Sequence, residues 1–177
     1  GETVLIQAAG SGVGTAAIQI AKLAGAKVIA AAGNDEKLDK AKELGADYLV
    51  NYYRNQNFDE EVKYLTNGNG VDVVIEQVGG NILPKSFHCL KKGGRLVTLG
   101  TTAGNIIEID VQHFYRNNLA MLGTSGTTHR EVRSVFELVK DGKLKPIIDR
   151  TFSLKEASLA HQYMEERRNF GKIVLKP

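Results

Sequence analysis

The sequence predicts an α/β protein in which a doubly wound, parallel sheet of six strands lies between two layers of helices. The chain has 177 residues, 42% hydrophobic and 24% charged, which is typical of one globular domain with a sizeable core. Short apolar runs alternate with segments of helical periodicity, a rhythm that favours parallel strands joined by right-handed crossovers. A glycine cluster follows the first apolar run, as it does at the first strand-to-helix turn of such sheets.

The first elements follow this alternation in order. Residues 3–8 form an apolar strand that ends at the glycine cluster, and a helix follows in which Val13, Ala17 and Ile20 recur at helical spacing. The second strand is predicted at residues 27–32, with Asn34 as the cap of the second helix. Further strands are predicted at residues 48–50, 71–75, 95–99 and 119–122, and further helices at residues 58–65, 81–90, 131–139 and 154–164. Residues 172–176 read as a final strand for which the sequence offers no partner.

Composition excludes several classes of function. The 23 basic and 20 acidic residues alternate along the chain and leave a net charge of +3, so no surface for nucleic acid is expected. No apolar run approaches the length of a membrane-spanning helix. Cys89 is the only cysteine and cannot form an internal disulfide, which favours the cytoplasm. The four histidines lack metal-ligand spacing, so no metal site is expected in this chain.

The glycine cluster, AGSGVG at residues 9–14, carries the strongest chemical signal. Glycines let the backbone turn sharply and approach a ligand, while the free amides and the dipole of a helix N-terminus attract a pyrophosphate. The pattern departs from a strict GxGxxG, and a tight turn without a ligand is the alternative. The predicted phosphate-binding residues are Gly10, Ser11, Gly12, Val13 and Gly14.

The end of the second strand indicates which dinucleotide is bound. Dinucleotide folds that prefer NAD place Asp or Glu there, on the adenosine ribose, but this sequence has Ala32 followed by Gly33 and Asn34. Lys37, one helical turn further on, can offer an ammonium to a 2′-phosphate. These residues therefore predict NADP, with NADPH preferred over NADH. The alternative for Lys37 is a solvated lysine that pairs with an acidic neighbour on its own helix.

Several segments in order resemble the coenzyme-binding Rossmann domain of the medium-chain dehydrogenase/reductase superfamily. The first segment begins with VLIQAAGSGVG and continues to NY at residues 51–52. The others are GVDVVIEQVGG, LKKGGRLVTLGTTAG, DGKLKPIIDRTFSLKEA and the closing NFGKIVLKP. Together they cover essentially the whole chain, and they are most similar to zinc-type alcohol dehydrogenase-like proteins and quinone oxidoreductases. The resemblance implies an oxidoreductase that transfers a hydride between the nicotinamide and a carbonyl or alcohol, a quinone or an activated alkene.

The resemblance also implies roles for individual residues. Lys37 and Tyr52 match the positions that contact the 2′-phosphate in quinone oxidoreductases that use NADPH. Val78, Gly79, Gly100 and Thr101 match the strand ends that line the riboses of the cofactor. Gly123 and Thr124 match the loop beside the carboxamide, and Asn169 matches a position near the nicotinamide. Ordinary turn chemistry is the alternative for the strand-end residues, and a half-buried aromatic is the alternative for Tyr52.

A second domain is implied but is not part of this sequence. By resemblance, residues 1–145 are the dinucleotide-binding domain, and residues 146–177 pack against an N-terminal GroES-like domain. That domain supplies most of the substrate pocket, and the zinc ligands where zinc is used. The chain begins at Gly1 without a methionine, so either a leader was removed or the sequence is a piece of a longer protein. No catalytic residue is therefore predicted here, and a homodimer is expected through the sixth strand.

Two other classes of function share the glycine turn. A regulatory or sensor module could bind a dinucleotide on the same fold without catalysis, and a substrate pocket containing an acid or zinc would argue against it. A methyltransferase that uses S-adenosylmethionine normally has an acidic residue after the second strand, and Ala32 argues against that class.

Overall fold

Strands and helices alternate along the whole chain in the structure, a computed structural model that describes residues 1–177. The strands are β1 (Thr3–Ile6), β2 (Lys27–Ala32), β3 (Tyr48–Asn51), β4 (Val71–Glu76), β5 (Leu90–Thr98), β6 (Ala120–Gly123), β7 (Ile148–Ser153) and β8 (Lys172–Lys176). The α-helices are α1 (Gly12–Leu23), α2 (Asp35–Glu43), α3 (Phe58–Leu65), α4 (Ile82–His88), α5 (Val111–Arg116), α6 (His129–Lys140) and α7 (Ala157–Glu165). A short 3₁₀ helix, Leu154–Glu156, precedes α7.

The first six strands form one parallel sheet in the order β3-β2-β1-β4-β5-β6. Successive side chains of a strand point to opposite faces, and β1 shows the result. Leu5 joins a core cluster with Phe58 of α3 and Phe87 of α4, whereas Ile6 joins a second cluster with Ile18 of α1. Helices therefore cover both faces of the sheet, and the predicted doubly wound, three-layer fold is confirmed.

Phe58 anchors α3 against the sheet and is fully buried. We expect Phe58→Ala to lower the free energy of unfolding by about 3 to 5 kcal/mol, because the lost burial adds to the cost of a cavity. Tyr64 on the same helix is 83% exposed, and Tyr64→Ala should change the stability by no more than about 0.5 kcal/mol. Urea unfolding of both variants measures the difference. Equal losses would contradict this description of the core.

The inward face of α1 contains few large side chains. Ile20 is 46% exposed and Val13 is 38% exposed, while Ile18 is fully buried together with Thr15. Recurrence at helical spacing therefore identifies this helix without identifying its buried side chains. Helix α1 packs so closely on the sheet that its small residues and one isoleucine fill the space.

The final strand has a partner, so the prediction that it lacks one is wrong. Strand β8 pairs in parallel with β7, and the two form a separate sheet beside the main one. Neither β7 nor α5 was predicted from the sequence. Helix α4 ends two residues earlier than predicted, and β5 begins five residues earlier, at Leu90. None of the helices combines the length and the apolar character needed to cross a membrane.

Candidate functional site

The glycine turn joins the carboxyl end of β1 to the start of α1. Ser11 caps the helix, because its Oγ accepts a hydrogen bond from the Gly14 amide at 2.9 Å. A Cβ on Gly14 would lie 2.5 Å from the Ala8 carbonyl oxygen, so only glycine fits there. The amides of Gly12 and Val13 have no acceptor within the protein, as expected for the first residues of a helix. The turn can therefore bind an anion.

A distant part of the chain lies beside this turn. The Gly171 amide donates to the Gly10 carbonyl at 2.8 Å, and Ser11 forms an isolated parallel bridge with Gly171. The next residue, Lys172, lays its side-chain carbons against Gly12, in the space that a Cβ there would fill. This contact places the side chain of a cationic residue against the turn. Lys172 was not singled out from the sequence.

A second lysine, Lys37, also packs on the turn. Its side chain packs on Gly10, where a Cβ would stand 2.8 Å from Lys37 Cδ. Its ammonium donates a hydrogen bond to the Arg167 carbonyl oxygen at 2.6 Å, and it has no ion pair with the acidic residues of α2. Burial lowers the pKa of Lys37, and the charge of Asp149 partly offsets this effect. The alternative of a solvated lysine paired on its own helix is therefore not observed.

Two tyrosines follow β3 at this side of the site. Tyr52 is half-buried and packs against the core, and burial raises its pKa. The ring of Tyr53 covers Gly33, where a Cβ would stand 2.6 Å from Tyr53 Cε2. The Tyr53 hydroxyl accepts a hydrogen bond from Arg167 Nη1 at 2.7 Å. Arg167 thus links Lys37 and Tyr53, and neither Arg167 nor Tyr53 was singled out from the sequence.

The two predicted asparagines have structural partners. Asn34 caps α2, because its side-chain oxygen accepts a hydrogen bond from the Lys37 amide at 2.9 Å. That predicted cap is confirmed. Asn169 Nδ2 donates to the Gly171 carbonyl at 3.0 Å. It therefore supports the backbone of the segment that lies beside the glycine turn.

The loop after β4 is held by a buried carboxylate. Glu76 is fully buried, and it accepts hydrogen bonds from the amides of Val78 at 2.8 Å and of Gly79 at 3.1 Å. Burial raises the pKa of Glu76, and these two amides act in the opposite direction. Gly79 has a φ of +72°, and a Cβ there would collide with the Gly104 carbonyl oxygen. The loops after β4 and β5 are therefore packed backbone to backbone.

The remaining predicted positions lie at the carboxyl ends of β5 and β6. Gly100 is partly buried, whereas Thr101, Gly123 and Thr124 are exposed. Because the strands are parallel, these positions share one edge of the sheet with the glycine turn. The predicted positions therefore follow one edge of the sheet, from the glycine turn to the exposed Gly123 and Thr124. We call this stretch of the edge the groove, and Gly123 and Thr124 its far end.

Metal-ligating residues do not gather in this groove, and no group of three or more His, Cys, Asp or Glu elsewhere could hold a metal ion. His88 and His113 do meet, with ring centroids 4.4 Å apart, between α4 and α5. Cys89 is buried, and burial raises the pKa of its thiol. A high thiol pKa disfavours the thiolate that a nucleophile needs.

Comparison with known proteins places this geometry in a family. The chain is 35% identical over 187 residues to a 2-haloacrylate reductase of a Burkholderia species, covering 100% of this chain and 56% of the relative. It superposes on a crystal structure of an NAD-dependent alcohol dehydrogenase with a TM-score of 0.93 and 39% identity, covering 100% of this chain and 51% of the other. For Escherichia coli quinone oxidoreductase complexed with NADPH, the TM-score is 0.89 and the identity 31%, covering 99% of this chain and 57% of the other.

The chain thus spans about half the length of these relatives. Its residues 12–141, from the start of α1 to just beyond α6, match the family described as zinc-binding dehydrogenase. Its homologues are oxidoreductases of the medium-chain dehydrogenase/reductase superfamily. The resemblance inferred from the sequence motifs is confirmed, and the chain belongs to the zinc-binding dehydrogenase family.

Proposed function

We propose that the chain is the NADP(H)-binding domain of an oxidoreductase. The observation that carries this proposal is the glycine turn, which has two free amides at Gly12 and Val13 and two lysine side chains packed on it, Lys172 on Gly12 and Lys37 on Gly10. Amides at a helix N-terminus and flanking cations are what a pyrophosphate requires. NADPH supplies the hydride when it is bound, and the residues of the groove bind and orient it.

The preference for a 2′-phosphate rests on the end of β2. Ala32 is buried and has no carboxylate to bind a ribose hydroxyl or repel a phosphate. Lys37 and Arg167 bring two cations to this side of the turn, and Tyr53 lies beside them. The E. coli relative was crystallised with NADPH, which supports the proposal, whereas the name of the alcohol dehydrogenase relative specifies NAD.

The proposed substrate is a carbonyl or alcohol, a quinone or an activated alkene. The names of the relatives include a haloacrylate reductase, a quinone oxidoreductase and an alcohol dehydrogenase. Because the far end of the groove is open at Gly123 and Thr124, we propose that a further domain completes the substrate pocket. Any zinc would be held there. The cytoplasm is the proposed compartment, since the one cysteine forms no disulfide within the chain.

Chemical-shift mapping of the isotope-labelled chain tests the proposed site. On titration with NADP⁺, we expect the amide signals of Gly12, Val13, Gly100 and Gly123 to move together. The internal control is the loop at 67–70, which lies at the opposite ends of the strands beside the start of β4. Shifts confined to that loop, or no shifts at all, would refute the proposed site.

The proposed homodimer forms through β6. All four residues of this strand are exposed, and its only neighbour in the sheet is β5. An unpaired edge strand favours pairing with a second copy. We expect light scattering to show a dimer, and Leu122→Lys to shift it towards monomer. The control is Ile148→Lys on β7, a side chain that is similarly exposed. A clean monomer at tens of micromolar, a demanding concentration for such pairing, would contradict the proposal.

A further inference from the structure

Gln77, the first residue after β4, connects the glycine turn to the ends of β4 and β5. It is 8% exposed, and both the oxygen and the nitrogen of its side-chain amide form hydrogen bonds. Its Oε1 accepts a hydrogen bond from Ser11 Oγ at 3.0 Å, and its Nε2 donates to the Gln7 carbonyl at 2.9 Å. Its own carbonyl oxygen lies 2.8 Å from where a Cβ on Gly100 would stand. A buried amide with these partners has one orientation.

The contact with Gln77 determines what Ser11 can do. A serine hydroxyl has one proton to donate, and in this structure Ser11 gives it to Gln77 while accepting from the Gly14 amide. The Ser11 amide is also engaged, donating to the Ala8 carbonyl at 2.8 Å. Ser11 is therefore fixed as a cap. The amides of the turn that remain free to bind a ligand are those of Gly12 and Val13.

We infer that Gln77 is a positioning residue for the pyrophosphate of the dinucleotide, acting through Ser11. This inference rests on the proposed function. Without the Gln77 acceptor, the Ser11 hydroxyl must rotate to find another partner, and the cap that aligns Gly12 and Val13 loses its fixed geometry. Donors held in place before binding are more effective than donors that must be ordered on binding. The loss should therefore concern the diphosphate and not the 2′-phosphate, which Lys37 would bind.

Binding measurements on Gln77→Met separate these effects, because methionine has similar length and lacks both polar groups. The probes are NADPH and adenosine 2′-monophosphate, which carries the 2′-phosphate without the pyrophosphate. We expect the dissociation constant for NADPH to rise about fivefold to tenfold. That for adenosine 2′-monophosphate should stay within about twofold. The exposed Gln162, changed to Met, is the matched control and should alter neither.

A second comparison tests the route through Ser11. We expect Ser11→Ala combined with Gln77→Met to bind NADPH no more weakly than Ser11→Ala alone, because the two residues act as one unit. Losses that multiply would overturn the inference, as would equal losses for both probes. If the unmodified chain binds NADPH and Gln77→Met binds it equally well, only the positioning role fails. If the unmodified chain does not bind NADPH, the proposed function fails with it. Should Gln77→Met not fold by circular dichroism, Gln77→Asn, which withdraws the amide by one methylene, carries the same expectations.

Discussion

The 177-residue chain is expected to bind NADPH and yet to reduce no substrate at an appreciable rate. Hydride transfer requires the donor and acceptor carbons to be held close together, with a group that stabilises the charge developing on the substrate. The groove can position the cofactor, but Thr101, Gly123 and Thr124 at its far end are exposed. Proximity contributes on the order of 7 kcal/mol to lowering a barrier, and that contribution is lost where one wall of the site is open.

A steady-state assay with NADPH and a panel of aldehydes, quinones and enones measures this expectation. Binding of NADPH in the same preparation is the control, because it shows that the chain is folded. Turnover of about 1 per second or faster, typical of a working enzyme, would contradict the expectation. It would mean that the catalytic groups lie within these residues. It would also argue against the alternative of a regulatory module without catalysis.

Lys37→Ala is expected to remove the preference for NADPH over NADH. A charge-assisted hydrogen bond to a phosphate contributes roughly 1.5 to 3 kcal/mol, which corresponds to about tenfold to a hundredfold in affinity. The substitution also removes the contact with the Arg167 carbonyl, but that loss affects both cofactors. The ratio of the two dissociation constants therefore isolates the contribution of the 2′-phosphate.

Lys40→Ala is the matched control for that experiment. Lys40 lies on the same helix, but its ammonium pairs with Glu36 at 3.0 Å and is exposed. We expect its removal to change the ratio of affinities by less than about twofold. If Lys40→Ala lowers the ratio as much as Lys37→Ala does, the preference arises from general positive charge on α2 and not from a specific contact.

The sequence predicts the main sheet well, because buried elements leave a clear hydrophobic pattern. The bounds predicted for β2 and α3 match the structure, since their apolar residues face a core. Strand β7 was missed because it is mostly exposed and carries Asp149 and Arg150, which interrupt the alternation. Helix α5 has six residues and none of them is buried. A helix of six residues spans fewer than two turns, which is too short for helical periodicity to be recognised.

The local part of the site was equally accessible to sequence reasoning. The glycine turn and the Asn34 cap are contiguous motifs, and the structure confirms the cap. Arg167 and Lys172 were missed because they reach the turn from the far end of the chain, through contacts that no local spacing encodes. Arg167 also lies in a run of two acidic and two basic residues, which reads as a solvated helix end. The one available signal was the Gly171-Lys172 pair of the closing motif.

The most direct test of the proposed NADP(H) site is a pair of fluorescence titrations of the unmodified chain with NADPH and with NADH. The glycine turn should bind the pyrophosphate of both cofactors, and Lys37 should add affinity only for the one that carries a 2′-phosphate. We therefore expect both to bind, and NADPH to bind about tenfold to a hundredfold more tightly. Equal affinities, or tighter binding of NADH, would contradict the assignment of NADP(H) to this site.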